Sequence, residues 1–169
     1  MRGGWTRRAA LGLPLLLAAC ASDIVEPPPP SARALDAVRL DPVEALDWLN
    51  AYRAKSGLVP VALDAQLTAL AQAQADAMAL ANKVSHDVEG RFASRLAAAN
   101  LHAGEAGENV CAGYFSTAQA MEAWRRSPEH DVNLRLRSAT RFGVALAKNP
   151  RSGWGVFWAM AITSPPPPG

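Results

Sequence analysis

Two runs of four prolines, Pro27 to Pro30 and Pro165 to Pro168, fence off the stretch of chain that can fold. Proline fixes φ and removes an amide donor, so neither run extends a helix or joins the middle of a sheet. Residues 31–164 lie between them, enough for one compact domain with its own core and too few for two. The periodic apolar pattern begins near Asp41 and ends near Ser164, which sets the expected domain at 41–164. Residues 20–40 read as a stiff Pro-rich tether, and residues 165–169 as a disordered tail.

Residues 1–19 carry Arg2, Arg7 and Arg8 ahead of an apolar run from Leu11 to Ala19. That run is too short to cross a bilayer as a helix and has the charged-then-apolar layout of an export signal. Leu17, Ala18, Ala19, Cys20 resembles the lipobox of bacterial lipoproteins, in which the cysteine takes a lipid and becomes the new N-terminus. An ordinary secretory signal cut at the same small residues is the alternative, and Arg7–Arg8 leaves a twin-arginine signal open. Ala21 after Cys20 resembles outer-membrane sorting, so the expected location is the outer membrane or periplasm, with Cys20 as the lipid anchor.

Removing residues 1–19 takes away three of the 17 basic side chains and none of the 15 acidic ones, leaving 14 against 15. The mature chain is close to neutral and lacks the Lys/Arg stripe that nucleic acid requires, so nucleic acid is excluded as a partner. With Cys20 lipidated, Cys111 has no disulfide partner, and the core must hold by packing alone. Val110 and Ala112 flank Cys111, which reads as a small buried apolar residue rather than a reactive thiol.

Asp41 followed by Pro42 predicts a helix start, with Val43, Leu46, Leu49 and Tyr52 at helical spacing and Gly57 as its stop. A second helix is expected from Asp64 to about Asn82, and a third from Glu89 to Asn100 carrying Phe92 and Leu96. Glu108 to Tyr114 reads as extended. Ser116 and Gln119 form a capping box for a helix carrying Met121 and Trp124, and Ser127 caps a short helix opened by Pro128. Phe142, Val144 and Leu146, then Trp154, Val156, Trp158 and Met160, alternate as two strands of an antiparallel ribbon turning at Asn149 to Gly153. Helices followed by strands make the fold class α+β.

His86, Gly107-Glu108-Asn109-Val110, Trp124, Ser127-Pro128-Glu129-His130 with Asn133, and Phe142-Gly143-Val144-Ala145 occur in an order that resembles the bacterial, SCP-like branch of the CAP superfamily. That superfamily groups cysteine-rich secretory, antigen-five and plant pathogenesis-related proteins, and the resemblance runs over about residues 43 to 163. It implies an α-β-α sandwich, helices packed on a small central antiparallel sheet, with a cleft lined by histidine and acid. Two departures stand out. The Gly-His-aromatic signature of eukaryotic members is replaced by Gly153 to Trp158 without histidine, and Glu129 and Asp131 flank His130 where the bacterial branch favours glycine and arginine.

His86, Glu108, Ser127 and His130 are the expected cleft residues. His86, Glu108 and His130 are also chemically sufficient for a divalent metal such as zinc, since two imidazoles and a carboxylate leave a coordination position open. The alternative is that they hydrogen-bond among themselves and to loop backbone. Asn109 reads as a structural tie, Trp124, Trp154 and Trp158 as core, and His102 as incidental. Ser127, with no adjacent base and a capping role, is a poor nucleophile. The expected function is a non-enzymatic, lipid-anchored extracytoplasmic binding module for a small molecule, lipid, envelope component or protein. Its rivals are a metal-assisted envelope hydrolase, with Glu108 as base, and a purely adhesive module.

Overall fold

A computed structural model describes residues 28–166, so the segment expected as an export signal, Cys20 and the last three residues lie outside the described chain. Helix α1 spans Ala32–Ala37, α2 Pro42–Lys55, α3 Ala65–Ala81, α4 Phe92–Ala98, α5 Thr117–Arg126 and α6 Pro128–Leu134. Strand β1 spans Ala62–Leu63, β2 Ala106–Ala112, β3 Arg141–Lys148 and β4 Val156–Thr163, in the spatial order β1-β3-β4-β2.

The helix starts follow from local chemistry. The Asp41 carboxylate accepts from the amides of Val43 and Glu44, and Pro42 occupies a position whose N–H would have no partner. Asp64 does the same for Gln66 and Leu67 at the start of α3, and Asn82 ends that helix in the left-handed region at φ 50°. The buried stripe of α2 is Ala45, Leu49 and Arg53, while Val43 is exposed; the helix is rotated from the expected Val43 stripe because Arg53 is drawn inward by backbone carbonyls.

Strand β4 is buried along its whole length, since it is central in the sheet and covered on both faces. Val156, Trp158, Met160 and Ile162 pack into one layer with residues of α1, α2, α5 and α6. Phe157 and Ala159 face the opposite layer, where Ala71, Ala75 and Met78 of α3 meet the sheet. Helix α3 lies directly on β3 because Gly143 has no side chain: an added Cβ would sit 2.3 Å from the backbone of Leu67 and Thr68. This is the helix-sheet-helix arrangement, α+β in class. The sheet is mixed rather than purely antiparallel, since the two-residue β1 pairs parallel to β3. So short a pairing leaves no alternation in the sequence to read.

Three further expectations are corrected. The stretch expected as a tether contains α1, with Leu35 and Val38 buried in the core because Lys148 and the β3–β4 hairpin supply a socket for them. The third helix starts at Phe92, since Gly90 takes a positive φ and Arg91 is extended in ψ. Trp154 lies just before β4 and is only half-buried, packed over Gly113 instead of within the sheet.

Candidate functional site

β2 is an edge strand, and its alternation splits its side chains between two layers. Val110 packs with α3, and Glu108, two residues earlier on the same face, points toward α4. Gly107 and Asn109 face α6. The Glu108 side chain is 3% exposed, and both of its oxygens are taken. Oε1 lies 2.9 Å from His86 Nδ1, and Oε2 accepts from Arg95 Nη2 at 2.5 Å. A carboxylate offers only lone pairs, so Nδ1 carries the hydrogen in that contact.

Arg95 extends from α4 and holds the loop before it: Nε donates to Gly90 O and Nη2 to His86 O. Its guanidinium lies 5.4 Å from the centre of the Phe92 ring, within cation–π range. The residue is 9% exposed, and Nη1 is buried with no hydrogen-bond partner among the described residues. Arg95 was not among the expected site residues. Its one local signal is that it is the single charged residue in the helix Phe92-Ala93-Ser94-Arg95-Leu96-Ala97-Ala98.

The His86 ring is half-exposed. Its hydrogen bond to Glu108 holds the pKa above the usual histidine value, against the opposing effect of partial burial. His86, Asp87, Arg91, Ser94, Glu108 and Asn133 are among the residues lining an open cleft of about 450 Å³ between α4, β2 and α6.

On the α6 side a second network fixes the helix to the strand. Asn109, fully buried, donates to His130 O at 3.0 Å, and Asn133 donates to Glu108 O and Asn109 Oδ1. Gly107 is required under Asn133, since an added Cβ would lie 2.5 Å from Asn133 Oδ1. These contacts explain the block Gly107-Glu108-Asn109 in full: one residue leaves room, one carries charge to α4, and one ties down α6.

Ser127 precedes α6 but its hydroxyl makes no capping bond; it contacts His130 Nδ1 at 2.8 Å instead. The capping role is therefore corrected: with Pro128 at the first position and the imidazole one turn away, the side chain satisfies the ring. Burial, followed by the nearby charge of His86, pushes the His130 pKa below its usual value. Neither Ser127 nor His130 lines the cleft that holds His86 and Glu108.

The structure thus brings His86 and Glu108 together and sets His130 with Ser127. The three-ligand metal set of His86, Glu108 and His130 does not assemble: among the described residues no group of three His, Cys, Asp or Glu side chains converges as ligands. Glu108 is also poorly placed to hold a cation, because Arg95 already neutralises it and both of its oxygens are engaged. Elsewhere Trp124 and Trp158 are buried core, while His102 bonds Asn100 away from this network. Burial raises the Cys111 thiol well above its ordinary range, which keeps it protonated and inert.

The family model described as the cysteine-rich secretory protein family, CAP, matches residues 46–161. An extracellular protein containing an SCP domain from Bacillus anthracis is 25% identical with a TM-score of 0.65, over 73% of this chain and 40% of that one. An outer surface protein from Borrelia burgdorferi is 17% identical with a TM-score of 0.64, over 74% of this chain and 96% of that one. A cysteine-rich secretory protein from Staphylococcus aureus shares 13% identity and a TM-score of 0.60, over 72% of this chain and 37% of that one. The chain therefore spans less than half the length of the Bacillus and Staphylococcus proteins. No curated protein sequence matches. The match covers well over half of the 169 residues, and the chain belongs to the cysteine-rich secretory protein (CAP) family.

Proposed function

We propose that this chain is an extracytoplasmic binding module, anchored through a lipid on Cys20, whose cleft between α4 and β2 takes a polar small molecule or the polar head of a lipid or envelope component. One observation carries the binding reading: both Glu108 oxygens are already engaged, so the carboxylate serves to orient and charge His86 at the cleft rather than to receive a proton from water. The metal-assisted hydrolase reading calls for Glu108 as a free base, and the engagement of both its oxygens favours the binding reading instead. An export-type signal ending in Leu-Ala-Ala-Cys supports the location, as does the extracellular description of the Bacillus anthracis protein. Among the described residues no helix is long and apolar enough to cross a membrane.

The test is mass spectrometry of small molecules released on denaturing the full-length protein purified from a bacterial envelope. A species retained by the wild type and lost in His86→Ala supports the cleft as the binding site. Identical spectra for the two proteins, at equal thermal stability, sink it.

A further inference from the structure

The two ends of the sheet carry different things. Glu108 pairs with Ala161, five residues along β4 from its first residue Val156, so the cleft lies about 17 Å along the strand from the β3–β4 hairpin. The chain enters the domain at that hairpin. Pro30 and Leu35 close over Gly155, whose positive φ and missing Cβ make room for them, and an added Cβ would lie 2.4 Å from the Pro30 ring. Lys148 Nζ donates to Leu35 O and Val38 O at 2.5 and 2.8 Å, clasping the C-terminal end of α1. From Cys20 to Pro28, the first described residue, eight residues span at most about 29 Å.

The C-terminus of α3 is tied to the same hairpin by Asn149 Nδ2, which donates to Ala79 O at 2.8 Å. Beside it Leu80 is 89% exposed, the most exposed of the large apolar side chains among the described residues. Leu80, Pro150 and Arg151 border one shallow hollow, with Asp76 as its single acid. Lys83 comes one residue after the Asn82 cap of α3, its amide bonded back to Met78 O, and Lys83 and Arg151 are exposed and form no ion pair among the described residues. A lone leucine among cations is too small for a stable protein interface, which needs roughly 1,200 Å² or more. It matches an anionic headgroup layer, where the side chain reaches the acyl boundary and the cations stay with phosphate.

We infer that the hairpin end, through Leu80, Lys83, Pro150 and Arg151, is the surface that rests on acidic phospholipid headgroups, so that the His86 cleft faces away from the bilayer. The inference rests on the lipid anchor at Cys20. It is tested with the full-length lipidated chain in phosphatidylcholine vesicles containing phosphatidylglycerol and a nitroxide headgroup lipid. Fluorophores are placed on Leu80→Cys or on Val132→Cys, an exposed position beside Asn133, both in a Cys111→Ala background. Quenching at position 80 is expected to exceed that at 132 by roughly twofold or more, and to fall when Lys83→Glu and Arg151→Glu are added. Equal or reversed quenching, with the protein still released from membranes by Cys20→Ser, overturns the orientation and leaves the anchor standing. If Cys20→Ser does not change membrane fractionation, anchor and orientation fall together.

Discussion

Two arginines are buried among the described residues, and they are used in different ways. Arg53, fully buried on α2, has no carboxylate; it donates to the carbonyls of Val59, Leu134, Leu136 and Ala139. Burial lowers its pKa, though an arginine so far above neutral stays charged. Its fork closes the end of α6 and the loop that leads into β3, tying them to α2. Arg95 holds two carbonyls as well, Gly90 O and His86 O, but it also meets an acid, Glu108, leaves Nη1 without a partner among the described residues, and sits next to a titrating imidazole at a cleft. A guanidinium satisfied by backbone serves the fold. One paired to a side chain that itself touches His86 serves the site, and its desolvation is only partly offset by the pairing.

The comparison can be broken by substitution. Arg53→Met should be the most damaging change, because it strands buried carbonyls at about 1–3 kcal/mol each; allowing for solvent reaching some of them, a loss of about 5 kcal/mol is expected by urea unfolding. A loss under about 1 kcal/mol would show that water replaces the fork freely.

Glu108→Ala should cost about 3–5 kcal/mol, since Arg95 is then buried without its partner. Here a rescue is available that Arg53 lacks. The double change Glu108→Leu with Arg95→Met should recover most of that stability while abolishing ligand retention in the cleft. If the double variant is no more stable than Glu108→Ala, the pair is a structural clamp of the Arg53 kind.

The smallest effect concerns pH. The folded His86 pKa lies above its unfolded value near 6.5, so its contribution is fully present below that value and is lost as pH rises through the higher folded value. The stability difference between wild type and His86→Gln should therefore shrink from pH 6.5 upward. Because the ring is half-exposed, solvent screening limits it to between about 0 and 1 kcal/mol. The depressed His130 pKa acts with the opposite sign and is lost as pH falls below 6.5; the part that burial causes cancels in the difference to a variant, while the smaller part due to the His86 charge does not. A difference that grows with pH would contradict the His86–Glu108 bond.

The parts of the fold that local chemistry decides were legible. Asp41 with Pro42, Asp64, and Ser116 with Gln119 mark helix starts from side chains within four residues of the amides they satisfy, although Gln119 in fact accepts from Phe115 N. The alternation of Phe142 to Leu146 and Val156 to Met160 gave the hairpin for the same reason. What stayed hidden depends on partners far along the chain. Leu35 and Val38 look like tether until a hairpin more than a hundred residues away covers them. Arg95 is an ordinary surface arginine until Glu108 arrives 13 residues later and α4 docks on the sheet. In the site, the sequence grouped His86, Glu108, Ser127 and His130 without specifying contacts; the structure joins His86 to Glu108 and His130 to Ser127, and no spacing in the sequence encodes which face of β2 an imidazole reaches.

The clasp over Gly155 changes where the independent unit of this protein begins. The family match starts at residue 46, yet two apolar side chains upstream of it, Leu35 and Val38, are sealed inside. Cutting the chain at the start of the shared sequence would leave an oily slot at the hairpin and free the Lys148 ammonium. Any recombinant fragment meant to behave as a monomer should keep Pro28 onward.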